Sequence, residues 1–215
     1  MKEFENQKGK CILLKMVSGI HENKTYLGEI DGLIGDGDHG MNMNKGFTVF
    51  EERFADTEIS FTNGLDELGM ILLNEIGGSM GPIYGTFFMA MAEKGAGLDV
   101  ITLPDFTAML EAAQTELYEI IEARVGDKTL VDTLTPAVES LKDSVVSSVG
   151  FRQALERMKS CAEAGKNSTK GLIAKYGRSS RLGERSKGVL DAGAVSCYII
   201  LTEMADGIAE LLLNE

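Results

Sequence analysis

The sequence predicts an all-α protein, a single-domain barrel or bundle of about eight antiparallel amphipathic helices. Apolar residues recur at helical spacing along most of the chain, and no window alternates apolar and polar residues as a half-buried strand would. Only three prolines occur in 215 residues, and two of them, Pro82 and Pro104, stand at the start of helical patterns. Connections between successive patterns are short, which favours antiparallel neighbours.

Leu13, Met16, Val17 and Ile20 mark a first helix, expected to end before Tyr26-Leu27-Gly28. A second starts near His39–Asn42 and carries Met43, Phe47, Phe50 and Phe54. A third uses Leu65, Leu68, Ile71, Leu72 and Ile76. The run Gly77-Gly78-Ser79-Met80-Gly81 breaks the pattern, and Pro82 is placed to open a fourth helix carrying Phe87, Phe88 and Met91 to about Lys94. Pro104 opens a fifth, with a stripe of Phe106, Leu110, Ala113, Leu117, Ile120 and Ile121. Gly126-Asp127-Lys128-Thr129 interrupts. A sixth follows with Leu134, Val138, Leu141 and Val145, and Gly150 is expected to end it. A seventh carries Phe151, Leu155, Met158 and Ala162 and extends toward Ile173. After a long polar loop, Asp191 is placed to cap an eighth, which carries Val195, Ile199, Leu201, Met204, Ile208, Leu211 and Leu212.

The chain is 44% hydrophobic, so a sizeable core is available, and its formal charge is −12. That acidity argues against nucleic acid and anionic membrane surfaces as partners. Residues 1–10 hold no apolar stretch of the signal-peptide kind, and no apolar run approaches the ~18 residues that span a bilayer. A cytoplasmic protein is expected. Cys11, Cys161 and Cys197 each sit in an apolar helical pattern with no CxxC or His–Cys spacing, and are expected to be buried, reduced thiols.

The most informative stretch is Asp31-Gly32-Leu33-Ile34-Gly35-Asp36-Gly37-Asp38-His39-Gly40, with three carboxylates and four glycines in ten residues. Two like charges about 4 Å apart cost on the order of 4 kcal/mol at an effective dielectric near 20. Three together imply a neutralising cation, against the simpler reading of a polar turn. The oxygen donors suit Mg²⁺ or Ca²⁺ better than zinc. Neither register of an EF-hand fits: a loop begun at Asp31 has Leu33 at position three, and one begun at Asp36 has Met41 where glycine is required. Asp36 and Asp38, separated by glycine, can face one ion cluster, and Asp31 can return to it across Gly35. His39 abuts this stretch and a helix start.

The run at 77–81 has the character of a backbone anion nest, and 176–188 is a locally basic loop containing Arg178, whose guanidinium suits phosphate oxygens. Each also reads as an ordinary turn or solvated loop. Their placement adds weight. The breaks at 31–40, 77–81, 126–129 and 177–193 precede helices two, four, six and eight. In an up-and-down arrangement all four lie at one end, beside four helix N-termini, which attract anions and phosphate above all. No Ser/His/Asp or Cys/His nucleophile arrangement is evident.

These residues, with Asn42-Met43-Asn44, Gly46-Phe47, Gly81-Pro82, Gly85-Thr86-Phe87-Phe88, Leu182-Gly183-Glu184-Arg185-Ser186 and Asp191…Gly193-Ala194, fall in order along nearly the whole chain. Together they resemble the L subunits of dihydroxyacetone kinases. The resemblance implies that residues 1–215 form an L-type domain, a barrel of eight helices with ADP or ATP at one end. It implies two Mg²⁺ ions on Asp31, Asp36 and Asp38, and phosphates lined by His39, Gly40, Met41 and Asn42. Ser79 and Met80 would face the phosphates at a second turn, and Leu130, Arg178, Asp191, Ala192 and Gly193 would complete the nucleotide site. The implied activity is phosphoryl transfer: an M-type phosphohistidine subunit of the phosphotransferase system recharges bound ADP, and ATP then donates to a hydroxyketone on a K subunit. Asp31, Asp36, Asp38, His39 and Arg178 would carry the chemistry. The chain departs from the family pattern at Ser79-Met80, where Ala-Ser is common, and at a short Ala123-Arg124-Val125. The alternatives are an ATP-dependent subunit of a paralogous ketose or fatty-acid-kinase-like system, and a nucleotide-bound regulatory module without catalysis.

Overall fold

Eight α-helices follow one another around a ring in the computed structural model, which describes residues 3–212. They are α1 (Lys10–Ile34), α2 (His39–Phe54), α3 (Phe61–Glu75), α4 (Met80–Lys94), α5 (Leu103–Ile120), α6 (Val131–Val146), α7 (Phe151–Ser168) and α8 (Ala192–Leu211). Each packs on the next, and α8 packs on α1, so the ring closes into a barrel. The all-α expectation holds, as does the up-and-down order. Inward stripes meet along the axis: Phe47 of α2 lies edge-on to Phe88 of α4, and Phe106 of α5 packs on Phe151 of α7.

Two short strands, β1 (Glu3–Glu5) and β2 (Val100–Thr102), pair antiparallel ahead of α1 and α5. Only the central residue of each, Phe4 and Ile101, is fully buried. Three-residue strands are too short to display alternation, so the sequence pattern misses them. They close the barrel floor, where Phe4 packs edge-on against Phe61.

Helix boundaries differ where side-chain contacts outweigh local signals. α1 runs 25 residues, through Tyr26-Leu27-Gly28, because Leu27 and Ile30 continue its buried stripe. Asp31 therefore belongs to the last turn of a helix and not to a loop. α4 begins at Met80, ahead of Pro82, and α6 ends at Val146, so Gly150 caps α7 instead. The long polar loop holds a kinked 3-10 segment, Arg178–Ser186. Of the cysteines only Cys197 is buried. Cys161 is partly exposed, and Cys11, at the second position of α1, faces outward beside the inward Ile12 and Leu13. α8 is long and apolar enough to cross a bilayer by length and composition, but 67% of that window is buried within the barrel.

Candidate functional site

The α1–α2, α3–α4, α5–α6 and α7–α8 connections open onto one cavity of about 910 Å³ at one end of the barrel. The predicted convergence of four loops is thus observed. Asp31, Asp36, Asp38, His39, Asn42, Ser79, Met80, Leu130, Arg178, Asp191, Ala192 and Gly193 all line it. Gly40 and Met41 do not. The Met41 side chain is 65% exposed, and Gly40 is packed against the backbone of α1. Only their amide groups, at the first turn of α2 and without an acceptor inside the helix, remain to meet a ligand.

The carboxylates of Asp31, Asp36 and Asp38 each place an oxygen within 4.8 Å of the others. Three features fit this cluster to a hard cation. All donors are oxygen, as Mg²⁺ or Ca²⁺ prefers. Asp38 is the N-cap of α2, yet its side chain accepts no hydrogen bond from that helix, so its oxygens are uncommitted. Gly35 folds tightly over Asp31, and a Cβ there would fall 2.3 Å from Asp31 Oδ1. The guanidinium of Arg178 lies 2.8 Å from Asp36 Oδ2 and tethers the basic loop to the acidic one. The His39 N–H reaches toward Asp31 Oδ2 at 3.4 Å.

Two further helix N-termini face the cavity differently. Ser79 makes no side-chain cap on α4, leaving that turn's amides open to an anion. Asp191 does cap α8, accepting the Ala194 N–H at 2.8 Å. The same lining includes Ile34, Ile83, Ile121, Ala123 and Leu130. Apolar surface of this kind suits a planar base, and the acidic cluster suits phosphates with a metal.

Sequence reasoning missed Lys128, Tyr84 and Ser196. Lys128 is 1% exposed and adopts a left-handed φ of 62°. Its ammonium donates to the carbonyls of Thr169 and Val189, fastening the α5–α6 loop to the segment before α8. Asp132 fixes the same loop by accepting the N–H groups of Gly126 and Thr129, at 2.6 and 2.8 Å. Burial holds the Lys128 ammonium below its ordinary pKa, with Asp191 and Asp132 opposing. The available signal was a hydroxyl on an apolar helical stripe: Tyr84 and Ser196 both interrupt one, and buried hydroxyls find partners.

Burial also displaces two site groups in opposite senses. It pulls the His39 imidazole down to about 4, with the Asp38 carboxylate opposing. It pushes the Asp191 carboxyl up to about 6, against the Ala194 N–H and the Lys128 ammonium, which favour the charged form. The His39 contribution to stability is present above the ordinary value of about 6.5 and is lost as pH falls toward about 4. The Asp191 contribution is full below about 3.8 and is lost as pH rises through about 6. Asp191→Asn keeps an acceptor for Ala194. It is expected to stabilise the ligand-free protein by about 1–2 kcal/mol at pH 8, the shift being net of the Lys128 attraction and discounted because the carboxyl is part-exposed at the cavity wall, and by almost nothing at pH 4. Urea unfolding at the two pH values checks this, and an equal effect at both would refute it.

A family model described as the DAK2 domain matches residues 33–206. Over 183 residues the chain is 39% identical to the PEP-dependent dihydroxyacetone kinase, ADP-binding subunit DhaL, of Escherichia coli (strain K12), covering 84% of this chain and 86% of that protein. It is 32% identical over 194 residues to the PTS-dependent dihydroxyacetone kinase, ADP-binding subunit DhaL, of Lactococcus lactis subsp. lactis (strain IL1403), covering 88% and 91%. The crystal structure of the dihydroxyacetone kinase from C. freundii in complex with AMP-PNP and Mg²⁺ superposes with a TM-score of 0.66 at 21% identity. That alignment takes in 91% of this chain but 33% of the other, so the chain spans about a third of that enzyme, and the likeness is one of fold. With the domain matched over most of its length and DhaL subunits aligned nearly end to end, the chain belongs to the DAK2 domain family.

Proposed function

We propose that this chain is the ADP-binding subunit of a hydroxyketone kinase of the dihydroxyacetone type, with residues 1–215 forming its L-type unit; residues 1–2 and 213–215 lie outside the described structure. The observation that carries this is the three-carboxylate cluster in a cavity whose other loops supply open helix N-termini, an arginine and apolar surface. Asp31, Asp36 and Asp38 would hold two Mg²⁺ ions, which when bound neutralise the nucleotide phosphates and align them for transfer. The first turn of α2, from His39 to Asn42, and the turn at Ser79 and Met80 supply donors to the phosphates. Met80 offers its amide where a hydroxyl is common. Arg178, held at Asp36 in the ligand-free chain, would offer its planar fork to the same oxygens on leaving that carboxylate. Leu130, Asp191, Ala192 and Gly193 flank the nucleoside half. No nucleophile of this chain is required, because phosphoryl transfer rests on alignment and charge neutralisation.

The similarity to PEP- and PTS-dependent subunits supports a relay in which an M-type phosphohistidine subunit of the phosphotransferase system charges ADP in place. A separate K subunit would hold the hydroxyketone. Neither a nucleic acid nor a membrane is needed for this role. Calorimetry is expected to find ADP binding that depends on Mg²⁺, and equal affinity with and without the metal would overturn the reading. A donor test then separates the relay from a free-ATP kinase. The ADP-loaded protein, with a K subunit and dihydroxyacetone, should turn over with the phosphorylated M-type partner and not with free ATP alone.

A further inference from the structure

His39 faces the cavity with one ring nitrogen already committed. Its Nε2 lies 2.8 Å from Ser196 Oγ on α8, and that oxygen lies 2.6 Å from the Tyr84 hydroxyl on α4. Both hydroxyls also approach the Gly193 carbonyl, at 3.1 Å from Ser196 and 3.2 Å from Tyr84. Ser196 is fully buried and Tyr84 is 2% exposed. A largely buried chain of polar atoms therefore joins the first residue of α2 to the second turns of α4 and α8, three of the four helices whose N-terminal ends wall the cavity. The other ring nitrogen, Nδ1, has no hydrogen-bond partner among the described residues.

Two proton arrangements satisfy this chain. In the first, His39 Nε2–H donates to Ser196, the hydroxyl protons pass onward to the Gly193 carbonyl, and Nδ1 is a bare lone pair. In the second, the Tyr84 O–H donates to Ser196 Oγ, the Ser196 O–H donates to Nε2, and the ring proton sits on Nδ1. A lone pair facing the cavity repels a phosphate oxygen, whereas an N–H binds one. The partner of one ring nitrogen decides what the other presents.

We propose that Tyr84 and Ser196 are positioning residues whose hydroxyls, each able to donate or accept, take up the second arrangement when a nucleotide is bound and so hold His39 as its Nδ1–H tautomer, a neutral donor toward the phosphates. This rests on the nucleotide reading given above and adds the residues that orient the donor. The two hydroxyls act on the phosphates through His39.

Imidazole nitrogen NMR reads the tautomer directly. The chain has two histidines, and His21 bonds Thr48 on the α1–α2 face, away from the cavity. In full-length His21→Gln protein labelled with ¹⁵N-histidine, His39 is the single imidazole. With saturating Mg²⁺ and ADP, Nδ1 should show a pyrrole-like shift and Nε2 a pyridine-like one. Ser196→Ala should return the ring to a mixture of tautomers, and ADP affinity by calorimetry should fall about tenfold. Tyr84→Phe, which keeps the packing of the ring, should move both readouts the same way by less. A pyridine-like Nδ1 in the ADP complex would overturn the proposal, as would a tautomer ratio that neither variant changes. Absence of ADP binding by the His21→Gln parent, and by the unsubstituted chain, would instead sink the nucleotide reading itself.

Discussion

Asp38→Ala is expected to abolish Mg²⁺-dependent ADP binding while leaving the helical fold intact. The structure gives both halves of this expectation. Asp38 is exposed, and its carboxylate caps nothing, so the folded chain loses no hydrogen bond with it. Removing one of three carboxylates gathered within 4.8 Å also relieves repulsion in the ligand-free protein. Its unfolding midpoint should hold or rise slightly. Binding behaves oppositely, because a cation-mediated contact to a diphosphate loses an anionic ligand. A loss of about 100-fold or more, roughly 3 kcal/mol, is expected. Asp36→Ala should reach a similar loss with one difference: it also frees Arg178, whose guanidinium is 2.8 Å away, to meet the phosphates directly. Asp31→Ala is the poorer probe, since Asp31 sits in the last turn of α1 and faces the His39 amide. Calorimetry with thermal unfolding of Asp36→Ala and Asp38→Ala decides the matter. Wild-type affinity in either variant removes the metal from the site.

The barrel and its cavity were largely legible because both depend on periodicity and on where patterns break. Stripes such as Phe106, Leu110, Ala113 and Leu117 are buried as written, and alternate breaks must fall at one end of an up-and-down ring. Local chemistry was legible too: Asp191 caps α8 as its position before Ala192 implies. What was hidden depends on residues far apart in sequence. Lys128 reads as a turn residue because its partners, the carbonyls of Thr169 and Val189, lie 41 and 61 residues away. The His39–Ser196 pair spans 157 residues, and no window shows it. α1 overran its expected end because Leu27 and Ile30 find burial in tertiary contacts, which outweigh the glycine and the polar residues beside them. The glycines of the acidic stretch were read as turn-formers, and for Gly37, at φ 78°, that is right. Gly40 has another reason to be glycine.

Gly40→Ala is expected to be among the most damaging single substitutions in the chain. Gly40 lies inside α2 with no left-handed torsion, so conformational freedom is not what it provides. It provides space. A Cβ there would sit 1.9 Å from the Lys24 carbonyl oxygen and 2.9 Å from the Gly28 nitrogen, both backbone atoms of α1. No rotamer relieves a clash with helix backbone, so α1 and α2 must part. Overpacking of this kind costs about 3 kcal/mol or more, which for a chain of this size lowers the unfolding midpoint by roughly 6–12 °C. The separation also carries Asp38 and His39 away from Asp31, because the first two ride on α2 and the third on α1. ADP affinity should therefore fall together with stability, unlike in Asp38→Ala. Gly77→Ala is the control: Gly77 lines the cavity, which Gly40 does not, and a Cβ there meets nothing within 4 Å. Its effect on stability should stay within about 0.5 kcal/mol. If thermal unfolding finds Gly40→Ala as stable as Gly77→Ala, the two helices do not meet backbone to backbone, and the carboxylate cluster has lost the contact that sets its spacing.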